Sequence, residues 1–99
     1  MKIDLTLYDK ILENRIRLQI MGVLMVNEEY DFNSLKELLD ITDGNLASNL
    51  KSLEKAAYIE VIKTFIDRKP NTRYRSTVKG KKAFRDHLTA LEQLIHNGK

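Results

Sequence analysis

Thr42-Asp43-Gly44-Asn45-Leu46-Ala47-Ser48-Asn49-Leu50-Lys51-Ser52-Leu53-Glu54-Lys55, followed by Tyr58-Ile59-Glu60-Val61-Ile62-Lys63-Thr64-Phe65, Asp67-Arg68-Lys69-Pro70-Asn71 and Thr72-Arg73-Tyr74-Arg75, is the stretch that decides the fold. The first segment reads as a helix capped by Thr42. Leu46, Leu50, Leu53 and Ala57 recur at i, i+4, i+7 and i+11, one narrow inner stripe. Gly44, Asn45, Ser48, Lys51, Ser52 and Lys55 fall on the opposite side, with Asn49 on the flank. A surface helix chosen only for stability would be richer in Glu, Arg and Gln. The residues here weaken the helix, which implies a face chosen for contact. The second segment alternates as a strand. Ile59, Val61 and Phe65 share one face, Tyr74 completes it from the return strand, and Arg73 and Arg75 point the other way. The five residues from Asp67 to Asn71 are expected to form a long, exposed turn.

Working outward, Asn14 is a cap for a helix from Arg15 to Val26, whose Ile16, Ile20, Val23 and Leu24 keep helical spacing. Tyr30 to Phe32 is expected to be a brief strand. Asn33 or Ser34 then caps a second helix through Leu39, Ser34 and Glu37 having capping-box spacing. Two short helices joined by about three residues make a helix-turn-helix. Downstream, Thr77 caps a last helix of about 28 Å at 1.5 Å per residue. Its stripe of Phe84, Leu88, Leu91 and Ile95, broadened by His87 and Leu94, is more than a chain of this size covers by itself. Pairing with a second copy buries it economically. The expected fold is α+β and mostly α: a winged helix-turn-helix with a two- to three-stranded β wing and a long C-terminal helix. All 99 residues form one domain. Residues 1–13 make an arm or short helix, 14–78 the core and 78–97 the dimerisation helix.

Charge is unevenly placed. Residues 1–40 hold five Lys/Arg against eight Asp/Glu, and residues 41–99 hold twelve against six. From Lys63 to Lys82 eight cations face Asp67 alone. A charge run by itself is a solvated face. This one lies on a hairpin beside a polar helix, which favours a polyanionic partner. A helix showing small hydrogen-bonding groups next to a cationic hairpin has the shape and chemistry to read duplex DNA. The chain has no cysteine, which excludes disulfides and thiolate metal sites and fits a reducing compartment. Its start does not open a signal peptide and no apolar run is long enough to span a bilayer, so a cytoplasmic location without membrane contact is expected.

The run from Leu39 to Ile59 resembles the recognition-helix region of small winged-helix transcriptional regulators, relatives of the MarR and ArsR groups. Phe65 to Tyr74 as the wing and Ser76 to Phe84 extend the likeness, which covers roughly Arg15 to Leu94. The resemblance implies a dimeric, sequence-specific DNA binder that regulates transcription, its terminal helices forming the dimer. By position it places Thr42, Gly44, Asn45, Ser48 and Asn49 at the major groove, and Arg68 and Lys69 at the flanking minor groove. Three residues depart from the pattern. Asn49 stands where relatives often have His. Ala57 stands where they usually have Gly, at a cost of about 1 kcal/mol if the left-handed turn is kept. Asp67 replaces a frequent wing Gly.

The candidate DNA-binding set is therefore Thr42, Gly44, Asn45, Ser48, Asn49, Lys51, Ser52, Lys55, Arg68, Lys69 and Arg73. The candidate dimer interface is Tyr8, Phe84, His87, Leu88, Leu91, Leu94 and Ile95. His87 and His96, nine apart and without cysteine, do not have metal-ligand spacing, and no metal or cofactor is expected. No nucleophile motif or phosphate-binding glycine loop is present, so an enzyme is not expected. The alternative is a winged-helix protein-interaction module without DNA binding, which the acidic first 40 residues and Asp67 leave open. RNA binding is disfavoured because Tyr74 alone offers a stacking ring. No small-molecule effector pocket is legible.

Overall fold

The computed structural model describes residues 5–97. A short 3-10 turn at Leu5–Leu7 precedes α1 (Arg15–Val26), β1 (Tyr30–Asp31), α2 (Phe32–Leu39), α3 (Asp43–Lys55), β2 (Ile59–Ile66), β3 (Lys69–Ser76) and α4 (Val78–Asn97). The sheet runs β1-β3-β2, all antiparallel, with Tyr30 opposite Tyr74 and Val61 opposite Tyr74 on its other side. The architecture is mostly helical, with four helices packed around a small sheet whose strands β2 and β3 extend beyond the two-residue β1 as a wing.

The core forms where the apolar stripes converge. Ile16, Ile20 and Leu24 of α1 keep the predicted spacing and are buried with Met21, against Leu35 of α2 and Leu46, Leu50 and Leu53 of α3. Asn14 caps α1 by accepting from the Arg17 N–H at 3.0 Å, and Thr42 caps α3 by accepting from the Asn45 N–H at 3.2 Å. The cap of α2 differs from expectation. Asp31, not Asn33 or Ser34, accepts from the Ser34 N–H at 3.2 Å and from the Ser34 hydroxyl at 2.6 Å. The Ser34 hydroxyl bond holds the Asp31 carboxyl below its ordinary range.

Two further expectations are corrected at turns. Ala57 is exposed and does not join the inner stripe of α3, because that helix ends at Lys55. It keeps the left-handed conformation, with φ of 63°. The Tyr58 N–H reaches Leu53 O at 3.0 Å and the Ala57 N–H reaches Glu54 O at 2.9 Å, the two bonds of a Schellman ending. The wing turn is two residues, not five. Asp67 and Arg68, with φ of 51° and 67°, form it alone, and Lys69, Pro70 and Asn71 belong to β3. Two successive positive φ values give the turn whose twist matches a hairpin.

Below the wing the chain is tied into a hub. Asp9 Oδ1 accepts from the Ile11 N–H at 2.8 Å and its Oδ2 accepts from the Tyr58 hydroxyl, while the Asp9 N–H donates to His87 Nδ1 at 2.9 Å. The N-terminal arm is thus bonded both to the exit of α3 and to α4. Thr77 caps α4 by accepting from the Gly80 N–H at 3.0 Å, and its own hydroxyl donates to Ala57 O at 2.7 Å. Gly80 sits so close to the Tyr58 carbonyl that a Cβ there would lie 2.1 Å from the oxygen. Ser76 closes the arrangement by donating to Leu24 O at 3.1 Å.

Candidate nucleic-acid interface

The helix-turn-helix holds α3 by its buried stripe and leaves the opposite side bare. Thr42, Asp43, Gly44, Asn45, Ser48, Lys51 and Lys55 are exposed, and Ser52 is half-buried. A Cβ added at Gly44 would meet nothing within 4 Å. Asp43 is anchored to α2 through Lys36 at 2.9 Å, which orients the start of the helix and gives that carboxylate a cationic partner. Ser52 bonds back to Ser48 O at 3.2 Å.

Asn49 departs from the predicted outward set. It is only 7% exposed, because 300° from Leu46 brings it round to the edge of the inner stripe. Its amide donates to Asn45 O at 2.9 Å and to Asn45 Oδ1 at 2.8 Å. Asn49 therefore acts on the outer face through its neighbour. With Asn45 Oδ1 engaged, the Asn45 NH2 group is the part turned free. That amide presents a donor edge, which suits the N7, O6 and O4 acceptors of the major groove.

On the wing, register separates two faces. Val61–Tyr74, Lys63–Thr72 and Phe65–Pro70 pair on one, and Glu60–Arg75, Ile62–Arg73, Thr64–Asn71 and Ile66–Lys69 on the other. The first face looks across a groove of about 690 Å³ to Ala47, Leu50, Lys51 and Glu54 of α3. Lys63, which was not among the predicted site residues, stands in this groove. Its i+2 relation to Val61 and Phe65 was the signal that places it there. Arg73 is corrected away from the ridge: its Nε lies 3.2 Å from Glu29 Oε1 on the far face. Arg75 is similarly held, 2.7 Å from Glu60, and that carboxylate raises the guanidinium above its usual range. Arg68 and Lys69 lie exposed at the tip. Among the described residues no ion pair engages Lys51, Lys55, Lys63, Arg68 or Lys69. Five free cations thus border the bare helix and its groove.

The predicted dimer set divides. His87 is 1% exposed and lies inside the protomer, its ring 4.8 Å from that of Tyr8. Phe84 packs against the core near Gly22. Those residues serve the chain's own interior, because the N-terminal arm covers that side of α4. Leu88, Leu94 and Ile95 are exposed, Ile95 at 71%, and Leu91 is half-buried. No group of three His, Asp or Glu side chains among the described residues is placed to hold a metal ion, and no described helix is long and apolar enough to cross a membrane.

This geometry agrees with comparisons to known proteins. A family model described as a winged helix DNA-binding domain matches residues 16–95. The chain belongs to that family. An uncharacterized protein from Methanocaldococcus jannaschii is 38% identical over 88 residues, covering 89% of this chain and 96% of its own. The structure of a transcriptional regulator homologue from Pyrococcus horikoshii OT3 is similar at a TM-score of 0.82 and 32% identity, over 88% of this chain and 86% of that one. A mutant of MarR from E. coli shares the winged-helix fold at a TM-score of 0.76 and 16% identity, over 96% of this chain and 71% of that one.

Proposed function

We propose that the protein is a homodimeric, sequence-specific binder of double-stranded DNA that regulates transcription. The observation that carries this reading is the bare outer face of α3 bordered by five cations that form no ion pair among the described residues. A folded surface that leaves Lys51, Lys55, Lys63, Arg68 and Lys69 uncompensated is matched by phosphates, which release counterions when neutralised. Between those cations, Thr42, Asn45 and Ser48 supply small donors and acceptors at the scale of base edges. In this reading α3 enters the major groove, Asn49 sets the direction of the Asn45 amide, and Arg68 and Lys69 meet the flanking backbone or minor groove.

Dimerisation follows from α4. Leu88, Leu91, Leu94 and Ile95 leave an apolar strip beyond the part of the helix that the protomer covers, and a second copy supplies the same strip in return. Two recognition helices then address half-sites about one helical turn, roughly 34 Å, apart.

Selection of bound duplexes from a random pool, followed by gel-shift titration, tests the proposal. The expected product is a near-palindromic site. Failure to retain any duplex at low salt would instead favour a protein-interaction role.

A further inference from the structure

The wing carries an apolar pair where a purely cationic hairpin would need none. Phe65 is 76% exposed, and its cross-strand partner Pro70 is exposed beside it. The pair lies on the sheet face that looks toward α3, one pair beyond Lys63 and Thr72. Lys69 follows in the next rung, on the opposite face, and Arg68 in the turn beyond it. We infer that Phe65 and Pro70 form an apolar shelf that packs against the deoxyribose faces lining the minor groove, beside the major groove occupied by α3. This rests on the DNA-binding reading and deepens it.

Three observations favour this occupant. The shelf is continuous with the basic groove, so DNA lying against Lys51 and Lys63 reaches it. Lys63 stands one pair below it on the same face and Arg68 in the turn beyond it, matching the phosphates that flank each sugar. The sugar edge between those phosphates is carbon and hydrogen, which a ring face covers without leaving a polar group unpaired. A two-stranded hairpin is too broad to sink edge-on into a groove about 6 Å wide. Its side face must therefore lie along the groove wall, and that face holds Phe65 and Pro70.

The test compares Phe65→Ala with the parent on a duplex selected from a random pool. Phe65 is exposed, so the melting temperature should stay unchanged. Affinity should fall about tenfold, as expected for losing a buried ring contact. The slope of log K against log salt should hold, because no phosphate contact is removed. Hydroxyl-radical cleavage, which attacks minor-groove sugars, should reveal loss of protection beside the wing, while protection of major-groove guanine N7 from dimethyl sulfate is retained. Phe65→Leu should keep most of the affinity. Equal affinity and equal sugar protection in Phe65→Ala overturn the shelf. So does a loss of self-association in that variant without loss of DNA affinity, which would make a second copy the occupant. If the parent chain binds no duplex at all, the functional reading fails first, and the two failures are distinct.

Discussion

The hub around Asp9 and the ridge of α3 with its wing sit at opposite ends of the same chain logic. At the hub polar groups are partnered inside the protein: Asp9 with Tyr58 and His87, Thr77 with Ala57 and Gly80. At the ridge Gly44 faces open space and, among the described residues, five cations form no ion pair. Residues of the first kind fix where α3 and α4 stand. Residues of the second kind are available to something else. The difference means that substitutions should separate into those that cost stability and those that change binding without costing stability.

The largest expected effect is at the hub. In Gly80→Ala the new Cβ meets the Tyr58 carbonyl, so α4 must shift from the exit of α3. Stability should drop by roughly 3 kcal/mol, lowering the melting temperature by on the order of 15 °C in a circular-dichroism melt. An unchanged melt would mean that the close approach is not a real constraint.

Next comes alkaline pH. Burial and the bond to Asp9 push the Tyr58 hydroxyl up to about 12. The folded state then keeps a proton that the unfolded chain releases near 10, so stability is fully present below pH 10 and is lost as pH rises from 10 to 12. The expected decline is roughly 2 kcal/mol. Chemical denaturation across that range should show a steeper decline in the parent than in Tyr58→Phe, where Tyr8 and Tyr74, whose hydroxyls burial also pushes up, leave a smaller one.

At the ridge, replacing Arg68 and Lys69 together by Ala should weaken DNA binding about tenfold or more at low salt and reduce the salt slope by about 2. Its melt should match the parent. A lowered melting temperature with unchanged DNA binding would reverse the proposed division. The smallest effect falls on Gly44. With nothing near its Cβ, Gly44→Ala should stabilise α3 by up to about 1 kcal/mol while changing which duplexes are recovered by selection. Gly80 and Gly44 thus give opposite signs in the same melt.

Much of this contrast was legible in the sequence. The 3.6-residue period of Leu46, Leu50 and Leu53 fixed both the core side of α3 and, by subtraction, its bare side. Asn14, Thr42 and Thr77 announced their helices because each has a side-chain oxygen just before an apolar period. The wing tip was misread for a physical reason. Pro70 signals a turn, yet the closing pair of a two-residue hairpin is hydrogen-bonded and the next pair is not. The missing N–H of Pro70 therefore falls on an open edge where no donor is needed. Asp67-Arg68 contains no glycine, so nothing local marked it as the turn. The hub was invisible because Asp9, Tyr58 and His87 are 49 and 78 residues apart in their bonds, and no periodicity encodes such meetings. Arg73 looked like one more cation until register opposed it to the side of Glu29.

The turn at Asp67 and Arg68 has one more consequence. Both residues are left-handed, a backbone conformation that Asp67 tolerates and Arg68 resists, as do most side chains other than glycine, asparagine and aspartate. The rungs nearest the tip should therefore open more often than the rest of the sheet in the free protein. Amide hydrogens there would exchange fastest when the wing is unoccupied and slow once its tip is held, so their exchange rate becomes a built-in gauge of occupancy that needs no label.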